Sequence, residues 1–429
     1  MSIKSVITNT GWLGFIQALN YLVPLVTLPV VIRALGPSVY GLFAALNAYA
    51  TYIGVFTNFG LRVSGPRAII NASGKNAVVS QFVSAGIGAQ VVVGLAAVAV
   101  LYAIMIAVYG GEEFGASTYE LIGALVMLNA FALALAPQWI FLGLERLRDF
   151  SIVQVVCRSG AALAILLTIR TQDDLLLYVS LNCASSLLVV LLSLFVLRSY
   201  GISWELPSKN DVVKIVVQSK YLFFSSLSIS FYTSTMTLIV AGILGVNAAG
   251  QFAVADRVRT AISGLIGPMT QGIYPFVCRL SHEDAENAEG LRRLFFRGIL
   301  GFAALVSLIL YVGAPLIVQI IGGSAFAAAI PILQVLAFVP LVTAISNTMG
   351  MQTMLPMHMD REYTFAATSA AVLGPLLVSV LAWNYGLTSA AIGMLVTEIY
   401  VCVAFGWFLR RRINLLSLYL SVRRTTAAD

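Results

Sequence analysis

Three charged residues, Asp256, Arg257 and Arg259, interrupt a long apolar stretch in the second half of the sequence. One charge inside lipid costs about 2.5 to 3.5 kcal/mol on insertion scales, so three neighbouring charges need water or partners. Asp256 and Arg259 are three residues apart and can pair on one helix face, whereas Arg257 points about 100° away. A guanidinium holds phosphate oxygens bidentately and keeps its proton. The pattern predicts a phosphate-bearing ligand at Arg259, with a purely structural ion pair as the alternative.

A further acid, Glu398, lies within the last apolar stretch. Acidic groups at membrane depth are candidates for proton or cation sites, so we predict Asp256 and Glu398 as ion-coupling residues. For Glu398 the alternative is pairing with a hydrogen-bond donor. The four cysteines are far apart without ligand-like spacing, which predicts neither a metal site nor a disulfide.

Polar residues also recur along one face of the predicted second helix, at Asn47, Thr51, Asn58 and Arg62. Their spacings of four, seven and four residues hold them on one side of an α-helix. Because polar groups avoid lipid, we expect this face, with equivalent faces on the first, seventh and eighth helices, to line one aqueous cavity. Helix packing through small hydroxyl residues is the alternative. The predicted substrate-binding residues are Gln17, Asn20, Arg33, Asn47, Asn58, Arg62, Tyr232, Arg257, Arg259 and Gln271.

These residues sit in a chain of 429 residues that is 59% hydrophobic and 10% charged. A soluble protein could not bury so much apolar surface in one core. Apolar stretches of about 20 residues, enough to cross roughly 30 Å of hydrocarbon as helix, recur along the whole chain. We predict an all-α polytopic membrane protein whose transmembrane helices lie at 10–32, 41–61, 78–109, 119–142, 151–169, 175–197, 221–244, 249–277, 298–321, 331–356, 365–385 and 388–409.

Lys and Arg residues cluster in alternate loops. With the N-terminus inside, 21 of the 25 fall on the cytoplasmic side, the asymmetry that orients membrane proteins. We therefore predict that both termini are cytoplasmic and that the first helix is retained in the mature chain. The net charge of +7 indicates contact with anionic lipid headgroups. A nucleic-acid partner is not expected, because the sequence contains no soluble basic domain.

The longest polar interruption near the middle divides the chain into two halves of six helices. We predict an N-terminal lobe at 1–200, an amphipathic cytoplasmic linker at 201–220, a C-terminal lobe at 221–409 and a basic cytoplasmic tail at 410–429. Halves that enter the membrane in the same direction are typical of parallel repeats. A local match 209 residues apart supports the repeat: Leu35-Gly36, Gly41 and Phe43-Ala44 recur as Leu244-Gly245, Gly250 and Phe252-Ala253.

The sequence lacks a cluster of acid, base or metal-binding groups of the kind that an enzyme needs in one cleft. Its two histidines, His282 and His358, are 76 residues apart, in or beside predicted cytoplasmic loops. It also has no Walker-type phosphate loop, so we predict neither an ATPase nor any cofactor. Energy for transport is expected from an ion gradient or from removal of the cargo.

Three segments resemble the O-antigen and teichoic-acid export family of polysaccharide flippases. The first is YLVPLVTLP at 21–29 with RALGP at 33–37 and YG at 40–41. The others are PQWIFLGLER at 137–146 and GMQTMLP at 350–356. With the helix count, the resemblance covers nearly the whole chain.

The resemblance implies the multidrug, oligosaccharidyl-lipid and polysaccharide exporter superfamily, with two six-helix lobes around a cationic central cavity that opens to each side in turn. The implied cargo is a sugar repeat unit on undecaprenyl pyrophosphate, moved across a bacterial inner membrane, with a glycan polymerase or other assembly proteins as possible partners. In this chain Arg33 and Arg62 lie at helix ends and few other basic residues are intramembrane, so phosphate contacts could fall at the ends. The alternatives are an ion-coupled multidrug exporter of the same superfamily and a membrane glycan polymerase.

Overall fold

The computed structural model describes residues 3–72, 76–109, 116–203, 205, 207–264, 285–354, 357 and 359–412. Within those ranges the chain forms helices and no strands, as predicted. The helices are α1 (Ile3–Asn58), α2 (Leu61–Asn71), α3 (Asn76–Tyr109), α4 (Ala116–Leu135), α5 (Gln138–Gly143), α6 (Leu147–Thr168), α7 (Leu175–Ser199), α8 (Lys209–Gln218), α9 (Lys220–Ser263), α10 (Ala285–Gly322), α11 (Ala329–Leu336), α12 (Val339–Met349), α13 (Asp360–Tyr385) and α14 (Leu387–Leu409).

Ten segments of the described ranges are long and apolar enough to cross a membrane. Two of them, Val26–Asn58 and Ser234–Ser263, each contain a break in the helix. Counting the two halves of α1 and of α9 separately gives twelve candidate membrane-crossing helices in the described ranges, the number that the sequence predicts. Several large apolar side chains on their outer faces are more than two thirds exposed, including Phe195, Val312 and Trp383. Such surfaces suit lipid, because the backbone polar groups are satisfied within each helix.

Single glycines make both breaks. Gly36 in α1 has φ 69° and Gly245 in α9 has φ 84°, a left-handed conformation that only glycine adopts at little cost. The sequence predicts short turns at these two places. The chain instead resumes its helix at once, since one residue with positive φ is enough to redirect it.

The two glycine breaks belong to the two copies of the 209-residue repeat, and the copies contact each other. A Cβ on Gly41 would lie 1.7 Å from the carbonyl oxygen of Val246, and one on Gly250 would lie 2.0 Å from that of Pro37. Asn247 also donates a hydrogen bond to Ser38 Oγ at 3.1 Å. Two helices can approach so closely only where both lack side chains, which explains why this part of the repeat keeps its glycines.

Two compact units make up the chain. One comprises Met1–Ala241 and Gly245–Gly250, and the other Gly242–Leu244 and Gln251–Asp429. The core of the first unit includes Trp139, Phe141 and Phe150. In the second unit the residues packed together include Met354, Met359 and Phe405. The boundary between the two units falls inside α9 and does not coincide with the predicted boundary between the lobes. The lobes at 1–200 and 221–409 therefore stay a prediction from the repeat.

Several helix boundaries differ from the prediction. The second predicted helix ends at Asn58, because Phe59 and Gly60 have φ of 24° and 92°. The fourth is interrupted between α4 and α5, where Pro137 cannot donate a backbone hydrogen bond. The tenth is divided into α11 and α12 and continues as a π-helix, Gly350–Met354.

The amphipathic segment near the middle forms α8, which Ser208 caps by accepting a hydrogen bond from the Asp211 backbone N–H. Its position at the membrane surface stays a prediction. The end of the eighth predicted helix, from residue 265, and the tail from residue 413 lie outside the described residues.

Candidate functional site

The first unit contains a polar cavity of about 270 Å³ between membrane-crossing helices. Its walls come from the ends of α1 and α4, the starts of α2 and α5, and the middle of α6 and α7. The polar residues that line it are Asn58, Arg62, Gln138, Gln154, Arg158 and Ser186. Two of the predicted binding residues, Asn58 and Arg62, therefore share one cavity.

Arg62 lines this cavity from a different helix than the spacing predicted. It lies in the first turn of α2, after the break at Phe59 and Gly60, and not on the same helix as Asn58. Arg62 Nη2 donates a weak hydrogen bond of 3.4 Å to Oε1 of Gln138. The Asn58 amide donates to the carbonyl of Gly54, which leaves its own oxygen as an acceptor.

Trp139 forms the wall behind Gln138 and is only 2% exposed. Its indole Nε1 donates to Gln90 Oε1 at 3.2 Å, and Gln90 in turn donates to the carbonyl of Ala134 at 3.1 Å. The ring fits beside two glycines, since a Cβ on Gly65 would lie 2.4 Å from it and one on Gly86 2.9 Å. The PQWIFLGLER segment thus supplies both a polar group and a rigid wall to the cavity.

We expect Gly65→Ala to destabilise the protein by about 1 to 3 kcal/mol, because the added methyl group displaces a fully packed indole ring. Gly160→Ala is the matched control, since a Cβ there has nothing within 4 Å. Thermal unfolding of both variants in detergent, followed by tryptophan fluorescence, checks the difference. Equal stability of the two variants would contradict the packing of Trp139 described here.

In the second unit Asp256 and Arg259 form the predicted ion pair. Arg259 Nε and Nη2 donate to Asp256 Oδ1 at 2.8 and 2.6 Å, and Nη2 also donates to Thr260 Oγ1 at 3.0 Å. The side chains of Arg259 and Asp256 are 15% and 25% exposed, whereas Arg257 is exposed. Most donors of the Arg259 fork are therefore engaged by its own helix.

Glu398 on α14 is buried beside this pair, with 8% of its surface exposed. Thr343 of α12 donates a hydrogen bond to its carboxylate, and Arg259 is near enough to attract it electrostatically. Arg259 thus interacts with two acids that lie on different helices. The donor that the sequence left unidentified for Glu398 is Thr343.

The other predicted site residues are dispersed. Asn47 donates to the carbonyl of Phe43 one turn earlier, and Arg33 is exposed three residues before the break at Gly36. The side chains of Gln17, Asn20 and Tyr232 and the whole of Gln271 lie outside what the structure describes. Their predicted contacts with substrate stay predictions.

The structure adds Arg158, Gln154 and Gln138 to the candidate site. Gln154 and Arg158 are one turn apart on α6, so their spacing alone places two polar groups on one face of an apolar helix. The 21 Lys and Arg residues counted on the cytoplasmic side include Arg158 as a juxtamembrane residue, and the structure places it in the lining of the cavity. Gln138 falls within the PQWIFLGLER segment, but its role depends on Arg62, which is 76 residues away.

A comparison with protein families finds that the model of the polysaccharide biosynthesis protein family matches residues 6–281. That match covers more than half of the chain. The chain belongs to the polysaccharide biosynthesis protein family. The family resemblance predicted from the sequence is thereby confirmed, and two of its three segments, at 21–41 and 137–146, lie inside the match.

Two relatives resemble the chain over nearly its full length. A putative O-antigen transporter of Escherichia coli K12 is 26% identical over 408 residues, 94% of this chain and 96% of the relative. A putative O-antigen transporter of Shigella dysenteriae is 21% identical over 398 residues, 92% of this chain and 97% of the relative.

Solved structures agree on the fold. An inward-facing multidrug resistance transporter of the MATE family, in the MOP superfamily, has a TM-score of 0.74 at 14% identity, with 92% of this chain and 94% of that chain covered. The lipid II flippase MurJ, in an inward closed conformation, has a TM-score of 0.66 at 13% identity, with 94% and 87% covered. The polytopic fold of this family member is therefore shared with these two proteins.

Proposed function

We propose that the protein is a flippase that moves an undecaprenyl-pyrophosphate-linked oligosaccharide from the cytoplasmic to the outer leaflet of a bacterial inner membrane. Family membership, the full-length similarity to putative O-antigen transporters and the fold shared with a lipid II flippase support this proposal. Transport proceeds by alternating access between two six-helix lobes, with both termini in the cytoplasm. The protein makes and breaks no covalent bond in the cargo and needs no cofactor.

The observation that carries the proposal is the position of Arg62 beside Gln138 in a polar cavity among membrane-crossing helices. A guanidinium among apolar helices is costly unless it faces water or a polar ligand. A fork of hydrogen-bond donors suits phosphate, and a side-chain amide suits sugar hydroxyl groups. The cavity therefore fits the polar, anionic part of a lipid-linked glycan.

The arginines disfavour the multidrug alternative, because a cationic drug needs acidic or aromatic contacts. Asp256 and Glu398 of the second unit already interact with a cation, since Arg259 pairs with Asp256 and attracts Glu398.

We assign the headgroup contact to Arg62 and the sugar contacts to Asn47 and Asn58. Asp256 and Glu398 remain the proposed residues for ion coupling.

Deletion of the gene in its host tests the proposal. We expect a lipid-linked glycan to accumulate on the cytoplasmic leaflet and to disappear when the wild-type gene is restored. Arg62→Ala should lower glycan export about tenfold or more, because a hydrogen-bonded charge contributes about 1.5 to 3 kcal/mol. Arg67→Ala is the matched control, since Arg67 is on the same helix, is exposed as Arg62 is, and does not line the cavity.

Two outcomes would contradict the proposal. Drug hypersensitivity of the deletion strain without glycan accumulation would point to a multidrug exporter. Polymer synthesis by the purified protein in reconstituted membranes, without a transport partner, would point to a glycan polymerase.

A further inference from the structure

The last two helices, α13 and α14, form an antiparallel hairpin in the second unit. They are joined at Gly386, whose φ of 81° lets the chain reverse within one residue. The ring centroid of Phe365, early in α13, lies 6.2 Å from that of Phe408, at the end of α14. The start of α13 and the end of α14 therefore lie side by side at one end of the hairpin, and Gly386 lies at the other.

The hairpin is long enough to reach both faces of a bilayer. α14 has 23 residues, and at 1.5 Å per residue it is about 34 Å long, against roughly 30 Å of hydrocarbon. Trp383 and Tyr385 are exposed beside Gly386, and Phe365 and Trp407 are exposed at the opposite end. Because Trp and Tyr are enriched at the level of the lipid headgroups, we expect both ends of the hairpin to reach that level.

Positive charge is present at one of these ends and not at the other. The end that contains Trp407 has four exposed arginines and two acids, namely Arg361, Arg410, Arg411, Arg412, Asp360 and Glu362. The rest of the hairpin, residues 363–409, contains no Lys or Arg. Arg412 donates a hydrogen bond of 3.4 Å to Glu362. The arginines outnumber the acids, so this end has an excess of positive charge.

Trp407 orders two of these arginines. Arg410 and Arg411 follow it by three and four residues, and their guanidinium carbons lie 6.0 and 3.8 Å from the centre of its ring. Such cation–π contacts use the flat face of a guanidinium, whereas its N–H donors lie in its plane and can still bind a second ligand. The last carbonyl groups of α14 also favour cations at this position.

We propose that Arg410, Arg411 and Trp407 form a binding site for the phosphate of an anionic phospholipid. The two guanidiniums donate hydrogen bonds to the phosphate oxygens, and the exposed rings of Trp407 and Phe365 lie beside the glycerol and the acyl chains. Phosphatidylcholine fits less well, because its own ammonium group balances its phosphate. The bound lipid holds this end of the hairpin, the end predicted to be cytoplasmic, at the level of the headgroups. The site belongs to the surrounding membrane and does not depend on the identity of the cargo.

Quenching of tryptophan fluorescence by brominated lipids tests the site. The full-length protein is placed in nanodiscs of phosphatidylcholine and phosphatidylglycerol, and the same mole fraction of either lipid carries bromine on its acyl chains. The difference between the wild type and Trp407→Phe gives the signal of Trp407. We expect a preference of at least fivefold for quenching by phosphatidylglycerol. Arg411→Ala should lower this preference about fivefold, the factor that one basic residue near an anionic surface contributes.

Arg411→Lys should lower the preference less than Arg411→Ala, because lysine keeps the charge and loses the planar fork. Trp383 provides the matched control. It is exposed beside Gly386, at the end of the hairpin without Lys or Arg, and both leaflets of a nanodisc have the same composition. Its signal, from the difference between the wild type and Trp383→Phe, should be quenched equally by the two lipids. Arg148→Ala removes an exposed arginine of the first unit and should leave the preference of Trp407 unchanged.

Several results would overturn the site. They are equal quenching of Trp407 by the two lipids, the same preference at Trp383 as at Trp407, an unchanged preference in Arg411→Ala, and an equal loss in Arg148→Ala. Failure of both lipids to quench Trp407 would show that protein covers the ring, and would also overturn the site. The gene-deletion experiment does not involve these residues, so the flippase proposal stands or fails separately.

Discussion

Gly41→Ala should prevent the protein from accumulating in a folded form. The new Cβ would lie 1.7 Å from the carbonyl oxygen of Val246 and 2.7 Å from the backbone nitrogen of Gly250. Both are backbone atoms, so no side-chain rotation relieves the overlap and one helix must move. We expect a loss of about 3 kcal/mol or more, at the upper end of the cost of overpacking.

The same argument applies to Gly250→Ala, whose Cβ would lie 2.0 Å from the carbonyl oxygen of Pro37. Two glycines on the same helices provide matched controls, because a Cβ at Gly54 or Gly242 has nothing within 4 Å. Fluorescence-detected size-exclusion chromatography of tagged variants measures the folded yield. Normal yields for Gly41→Ala and Gly250→Ala would show that the two copies of the repeat do not cross as described.

The hydrogen bond between Asn247 and Ser38 is a weaker element of this contact. It is 3.1 Å long and exposed, and a typical hydrogen bond contributes only about 0.5 to 1.5 kcal/mol net. The glycine contact therefore dominates the stability of the crossing.

The sequence predicted the number of helices and the repeat because both depend on local patterns. Apolar length identifies a membrane-crossing helix, and the glycines of the repeat recur at the same places in both copies. The contact between Gly41 and Gly250 was not predictable in this way. Glycines in such a pattern indicate that another backbone approaches closely. Which segment approaches depends on the tertiary fold.

The ion pair of Asp256 and Arg259 was predictable for the same reason, since residues three apart on a helix are neighbours. The polar face of the second helix was predicted less well, because Phe59 and Gly60 end the helix before Arg62. Helical periodicity assumes continuous α-geometry. A break of two residues with positive φ changes the direction of every side chain that follows.

The cavity of the first unit combines residues from six helices, and no spacing in the sequence connects Arg62 with Gln138 or Arg158. Charge alone assigned Arg158 to a membrane-proximal position, because arginines near predicted helix ends usually reach the headgroups. Its place in the cavity depends on how α6 packs against its neighbours. Packing of this kind cannot be read from one sequence without a structure.

Arg259→Ala should destabilise the second unit by about 3 to 5 kcal/mol, because it leaves two acids without their cation inside the membrane. Asp256 loses hydrogen bonds of 2.6 and 2.8 Å, and Glu398 loses its electrostatic partner. Arg259→Lys should retain part of the stability and of glycan export, since the charge remains while the fork is lost. Arg257→Ala is the matched control, because this neighbouring arginine is exposed.

A double variant tests the structural role of Arg259. In Asp256→Asn with Arg259→Ala both partners of the ion pair are neutral, so most of the lost folded yield should return. Adding Glu398→Gln removes the remaining unpaired acid and should complete the recovery of stability. Because Asp256 and Glu398 are also the proposed ion-coupling residues, the check is the folded yield by size-exclusion chromatography and not glycan export. A double variant that folds no better than Arg259→Ala would contradict the structural role of Arg259.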